Sequence, residues 1–244
     1  MERKVINYAH RGASAYYPEN TEASFLAGIY MGADGLETDV QRAADGLLVL
    51  FHDDTLERAC PGAAGKISDY TYDELKVFDV RNGNMRGKIT PLWDFLGRFG
   101  ILDYMTLAIE LKAPDCEGDV YELLLKYGCE KNAIITSFNF EYLKKMREVS
   151  KTVRLGYLTS RTDAALIGEL SEISAYEVCP KAETLTPEIV KTWHAAGLNV
   201  RAWGVYDEEL MKKAYEAGVD GMTVNFPDKL TAYIKEKQNE SQGN

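Results

Sequence analysis

AYEVC (residues 175–179), PEIVKTWHAA (187–196), LNVRAWG (198–204), DEELMKKAYEA (207–217) and VDGMTV (219–224) follow one another with only short links. The first, third and fifth are short apolar or β-branched runs, and the two between them carry apolar residues at helical spacing. Local signals agree. Thr186-Pro187-Glu188 reads as a cap, a first helical proline and an acidic first turn, and Gly197 and Gly218 sit where the helices should stop. Outward from this stretch the alternation continues, with strand-like runs at 5–10, 35–41, 105–111, 132–137 and 153–158. Helical patterns lie at 21–32, 117–127, 139–150, 163–170 and 227–237, with Asn139 placed to cap one and Gly128 to end another. Eight strands alternating with helices predict an α/β chain folded as a closed parallel (β/α)8 TIM barrel.

One interruption stands out. Asp45-Gly46 is a tight-turn dipeptide, followed by the apolar run Leu47 to Phe51 and then His52, so a strand returns toward the rim it left. Residues 54 to about 90 hold Gly- and charge-rich loops with short helical pieces such as Tyr72 to Phe78. An insertion of that length after a barrel strand is expected over the C-terminal face, where such barrels keep their active sites. The expected organisation is one barrel domain over 1–237, carrying the insertion at 54–90, and a polar tail at 238–244.

The chain has 244 residues, 45% hydrophobic and 27% charged, and a formal net charge of −10. That balance argues against nucleic acid or an anionic membrane as partner, because both are held by Lys and Arg neutralising phosphates. A small phosphate ester in a local basic pocket remains compatible with it. The start, Met1 to Tyr8, runs into a strand without an apolar leader, and no run approaches membrane-spanning length, so a cytoplasmic protein is expected. Cys60, Cys116, Cys129 and Cys179 form neither a C-x-x-C pair nor a zinc grouping and read as free thiols.

Side chains alternate along a strand, so Glu37 and Asp39 project to one side, roughly 6.5–7 Å apart at the backbone, while Thr38 points toward the helices. The same rule puts Glu110 and Lys112 together at the end of the third barrel strand. Carboxylates converging on a barrel mouth repel by about 4 kcal/mol per pair at 4 Å and an effective dielectric of 20, and a bound cation reverses that sign. All-oxygen ligands favour Mg²⁺ or Ca²⁺ over zinc. On spacing alone the acidic pair also reads as a solvated strand end paired with Lys or Arg.

His10 closes the first strand before Arg11-Gly12, where the arginine can grip phosphate oxygens and the glycine lets the backbone approach a ligand. His52 closes the returning strand before Asp53. Each alone reads as a hydrogen-bonded structural histidine; together, flanking a cation, they suit general acid and base. His194, inside a helix, reads as structural. Phe138 and Trp203, at strand ends, can wall a substrate pocket or simply pack.

His10-Arg11-Gly12, Pro18-Glu19-Asn20-Thr21, Gly32-Ala33-Asp34, Glu37-Thr38-Asp39-Val40, Asp45-Gly46, His52-Asp53 and Glu110-Leu111-Lys112 stand in an order and spacing that resembles the glycerophosphodiester phosphodiesterase family, in its short bacterial form. The resemblance implies a TIM barrel that uses a divalent metal to hydrolyse glycerophosphodiesters to glycerol 3-phosphate and an alcohol. By position, His10 and His52 match the family's acid/base pair, and Glu37, Asp39 and Glu110 its metal ligands. Arg11 and Lys112 match phosphate-contacting residues, and Glu19 and Asn20 a supporting stretch. It further suggests attack by the substrate's own glycerol 2-hydroxyl, with direct attack by water open as well. Two departures concern the last two strands: Trp203-Gly204-Val205 where the family commonly has Trp-Thr-Val, and Thr223-Val224-Asn225-Phe226-Pro227 where it has Thr-Asp before a proline segment. The rival readings are a lysophospholipase D or phosphoinositide-type phosphodiesterase of the same architecture, and a non-catalytic phosphate-ester binding protein. Neither the alcohol nor the oligomeric state is legible.

Overall fold

A computed structural model of the chain describes residues 5–163 and 165–242. Its parallel strands are β1 (Ile6–His10), β2 (Gly35–Arg42), β6 (Thr106–Leu111), β7 (Ala133–Ser137), β8 (Arg154–Thr159), β9 (Glu177–Pro180), β10 (Asn199–Val205) and β11 (Gly221–Val224). Each pairs with its neighbours, and β1 pairs with both β2 and β11, so the sheet closes on itself. This is the eight-stranded parallel barrel the alternation predicts. β3 (Leu48–Leu50) returns antiparallel along the end of β2, pairing Val40 with Leu50 and Arg42 with Leu48. It takes the edge of β2 beyond the point where β1 stops.

The helices outside the barrel form where the sequence places their signals. Thr21 caps α1 (Glu22–Tyr30), Asn139 caps α5 (Phe140–Val149), and Thr186 caps α7 (Pro187–Ala195), each accepting a backbone N–H. α4 (Glu117–Tyr127) and α8 (Glu208–Ala217) both stop at glycines, Gly128 and Gly218. The second crossover is filled by α3 (Leu92–Phe95) running into a wider helical turn at 96–100, a helix the sequence pattern does not reveal. It docks through Phe95 and Phe99 on Phe25 of α1, with ring centroids 4.7 and 5.6 Å apart. Such aromatic pairs are worth about 0.5–1.5 kcal/mol each beyond their burial. α6 (Ala165–Glu172) and α9 (Pro227–Gln242) complete the shell. No glycine or proline interrupts 228–242, so α9 continues past residue 237, where the pattern suggested an end. Gly243 and Asn244, the end of the expected tail, lie outside the described residues.

Residues 51–90 pack a small cluster built on Phe51, Leu56, Ile67, Leu75, Val80 and Ile89, with Val49 of β3 joining it. They contain α2 (Tyr72–Leu75), within the helical piece expected from Tyr72, and a hairpin of β4 (Asp79–Asn82) and β5 (Met85–Lys88) that the sequence pattern does not reveal. The segment is tied to the loop after β1: Asn82 Nδ2 donates to the carbonyls of Ser14 and Tyr17, and Gly87 lies against the Thr21 side chain. All four cysteines are free and buried. Among the described residues no helix is long and apolar enough to cross a membrane.

Candidate active site

β1 ends at His10, and the chain leaves it through two residues in the left-handed region, Arg11 (φ 53°) and Gly12 (φ 80°). A Cβ at position 12 would sit 2.4 Å from the Ser24 carbonyl carbon, so glycine is required where the turn meets α1. The turn aims the Arg11 backbone N–H at Glu37 Oε2, 3.0 Å away. Parallel register does the rest: His10 lies beside Glu37 on β2, and Asp39 beside Glu110 on β6. All three acids are buried, and each offers an oxygen within 4.8 Å of the others.

His52 arrives by the antiparallel return. Phe51 N–H donates to the Asp39 carbonyl at 3.0 Å, and the next residue then lines one cavity with His10, Glu37 and Glu110. That cavity, about 230 Å³, opens at the C-terminal ends of the strands. Its apolar wall is made by Phe138, Trp203, Leu158 and Tyr206. Phe138 and Trp203 meet edge to face at 4.9 Å, and Trp203 Nε1–H donates to the Thr159 carbonyl.

The cationic residues are held by the acids. Arg11 Nε lies 3.2 Å from Asp39 Oδ2 and its Nη1 donates to Glu19 Oε1 at 3.1 Å. Lys112 Nζ lies 2.7 Å from Glu110 and 3.5 Å from Asp39. Asn20, at φ 56°, donates to Asp39 Oδ2 and accepts from Thr38 Oγ1, locking the orientation of the central acid. Glu37 accepts the Arg11 N–H and lies 3.8 Å from His10 Nε2.

Burial, reinforced by the charges of Asp39 and Glu110, pushes the Glu37 carboxyl well above its ordinary range; burial and Asp39 do the same to Glu110. Asp39 moves the other way. Burial would raise it, but the Arg11 and Lys112 cations outweigh burial and hold it ionised. Burial first, and then the Arg11 cation, lowers the His10 imidazole below its usual value, so its neutral form dominates at neutral pH.

The site fits a hard divalent cation on two grounds. Asp39 Oδ1 is buried without a hydrogen-bond partner. The converging donors are all carboxylate oxygens, which suit Mg²⁺ or Ca²⁺. The two cations Arg11 and Lys112 do not balance three buried carboxylates unless some of the acids keep protons, which is what the raised Glu37 and Glu110 express.

The model of the glycerophosphoryl diester phosphodiesterase family matches residues 10–229. The chain belongs to that family. A glycerophosphodiester phosphodiesterase of Caldanaerobacter subterraneus is 30% identical over 95% of this chain and 98% of its own. One of Bacillus altitudinis is 32% identical over 94% and 98%. Among solved structures, an Oleispira antarctica phosphodiesterase in complex with the product sn-glycerol-3-phosphate superposes with a TM-score of 0.84 at 28% identity, covering 94% of this chain and 96% of that one. The Thermotoga maritima glycerophosphodiester phosphodiesterase gives 0.76 at 27%, over 96% and 99%. The chain is thus an enzyme, a phosphoric diester hydrolase.

Several residues at this phosphodiesterase site escape sequence reading. Asn225, just past β11, holds His10: its Oδ1 lies 2.5 Å from Nδ1 and also accepts from Ser14 Oγ at 3.0 Å. Only barrel closure, which pairs the first stave with the last, could have put residue 225 beside residue 10. Arg201 and Thr223 contribute to the cavity floor. Gly204, the first departure from the family pattern, adopts φ 68°, and the ladder between β10 and β11 slips there, between Ala202 and Val205. This bulge turns Val205 and Tyr206 onto the cavity. His194 is remote from the mouth, bonded to Asp220 at 2.7 Å beside the start of β11.

Proposed function

We propose that the chain hydrolyses glycerophosphodiesters to sn-glycerol 3-phosphate and an alcohol, with His10 and His52 as acid and base and Glu37, Asp39 and Glu110 as ligands of a Mg²⁺ or Ca²⁺ ion. The observation that carries this reading is the three buried carboxylates converging at one mouth between two imidazoles that face the same cavity. The Oleispira relative bound to sn-glycerol-3-phosphate supports the product side of the reaction.

When bound, the cation would offset the charge of the phosphate and of the acids around it. The chain's own groups supply the remainder. Arg11 and Lys112 are pre-oriented by Glu19, Asp39 and Glu110, and offer N–H donors to the non-bridging oxygens without reorganising. His10 has Nδ1 tied to Asn225 and His52 has Nδ1 tied to Asp53 at 2.6 Å, so each keeps Nε2 for proton transfer. One imidazole takes the proton of the glycerol 2-hydroxyl as its oxygen bonds to phosphorus, and the other protonates the departing alkoxide. Water then opens the cyclic phosphate with the roles exchanged. Phe138 and Trp203 wall the cavity for the carbon skeleton.

The test is a panel of glycerophosphodiesters carrying choline, ethanolamine, glycerol or inositol, assayed for glycerol 3-phosphate with and without chelator. Release that stops on chelation and returns with Mg²⁺ or Ca²⁺ is expected; chelator-insensitive release would overturn the metal assignment. Glycerol 1,2-cyclic phosphate should be consumed as a substrate if the hydroxyl attacks first, and ignored if water attacks directly.

A further inference from the structure

Arg58 lies in the insertion, outside every motif that carries the family resemblance, yet its guanidinium joins both halves of the site. Its Nε donates to Asp53 Oδ2 at 2.5 Å, while Nη1 and Nη2 form a fork on Glu19 at 2.9 and 2.6 Å. Asp53 gives its other oxygen to His52 Nδ1. Glu19 shares Oε1 with Arg11 Nη1. The result is one run of charge-assisted hydrogen bonds through His52, Asp53, Arg58, Glu19 and Arg11, whose Nε then lies 3.2 Å from Asp39 as an ion pair.

We propose that Arg58 is a positioning residue that sets the His52 imidazole and the Arg11 guanidinium in mutual register, so that the insertion is part of the catalytic apparatus. The inference rests on the role proposed for His52. A planar fork suits the task because it fixes two carboxylates at once in defined planes, which an ammonium cannot do. Without it, Asp53, on a half-open surface, is free to rotate, and the imidazole it orients loses its fixed edge toward the cavity. Misplacement of a reacting group by about 1 Å costs on the order of 10²-fold in rate. Arg58 itself is half exposed and outside the insertion's apolar cluster, so its truncation should spare the fold.

The experiment compares Arg58→Met, Arg58→Lys, Asp53→Asn, the Asp53→Asn/Arg58→Met double variant and His52→Ala in the full chain with saturating Mg²⁺ or Ca²⁺. Arg58→Met should lower kcat by about 10- to 100-fold, with KM changed by less than about 3-fold and Tm nearly unchanged. Arg58→Lys should regain only part of kcat, and added guanidinium ion should raise the kcat of Arg58→Met but not of the wild type. The double variant should be no slower than the worse single one, since both break the same run of bonds. Full kcat in Arg58→Met, or a loss that follows Tm and that guanidinium does not reverse, would overturn the proposal. An active His52→Ala enzyme would instead overturn the role of His52, which separates the two failures.

Discussion

Two clusters of buried charge sit one above the other inside this barrel, and they are built on opposite principles. The lower one centres on Arg201, 2% exposed, whose guanidinium donates to Glu177, to Thr223 Oγ1 and to Cys179 and stacks over the Tyr8 ring at 4.9 Å. One cation meets one anion, and the donors have acceptors. The upper one, Glu37, Asp39 and Glu110, keeps excess negative charge, leaves Asp39 Oδ1 without a hydrogen bond and drives two carboxyls toward protonation. The lower cluster is complete in itself. The upper one is not, and the contrast sets a self-paired cluster against one with charge to spare, a distinction that burial alone does not make.

The largest effects should come from the groups that face the upper cluster. His10→Ala and His52→Ala should each lower kcat by at least about 10²-fold while the fold stays intact, as circular dichroism and a melting curve will check. Activity within a few-fold of wild type would erase the functional side of the contrast. Next comes stability. Glu177→Gln leaves Arg201 buried with an uncompensated charge and should cost about 3–5 kcal/mol, whereas Glu37→Gln removes a carboxyl whose ionised form burial and the neighbouring acids disfavour, and should leave the metal-free protein as stable or more so. Urea melts of the two variants test this directly; equal losses would mean the clusters do not differ in kind.

How much of this was legible follows from what sets each feature. The eight staves were, because apolar runs alternating with capped amphipathic helices are local signals. The facing of Glu37 and Asp39 was too, because strand side chains alternate. The hairpin at 79–88 was not: its strands are polar and largely exposed, and only Asn82-Gly83 hints at the turn. Asn225 beside His10, Arg201 on Glu177 and Arg58 on Glu19 are pairings across the fold, and no periodicity encodes them. Thr38, read as pointing toward the helices, turns out to be buried with its hydroxyl on Asn20, the residue that holds Asp39.

A smaller effect sharpens the comparison through pH. Glu37 and Glu110 have folded-state pKa values above the ordinary 4.5, so the metal-free native state binds more protons than the unfolded chain. Their contribution to stability is therefore present below about pH 4.5 and is lost as pH rises through the raised values. A cation competes with those protons. The rise in Tm on adding Mg²⁺ or Ca²⁺ should be greater at pH 8 than at pH 6, and the Glu37→Gln variant should show less of this difference. A pH-independent Tm gain would count against the acids as ligands. Smallest of all, Phe138→Ala, which removes an exposed ring packed on Trp203, should raise KM by about 2- to 10-fold with kcat little changed, given about 0.5–1.5 kcal/mol for such a pair. A fall in kcat alone would move Phe138 from the wall of the cavity to its chemistry.

The bond between His10 and Asn225 joins residues 215 positions apart. During translation the imidazole is made well before the amide that orients it, which comes just after the stave that closes the ring. A nascent chain stalled before residue 225 therefore carries His10, His52 and all three acids, yet lacks the amide that holds the first imidazole.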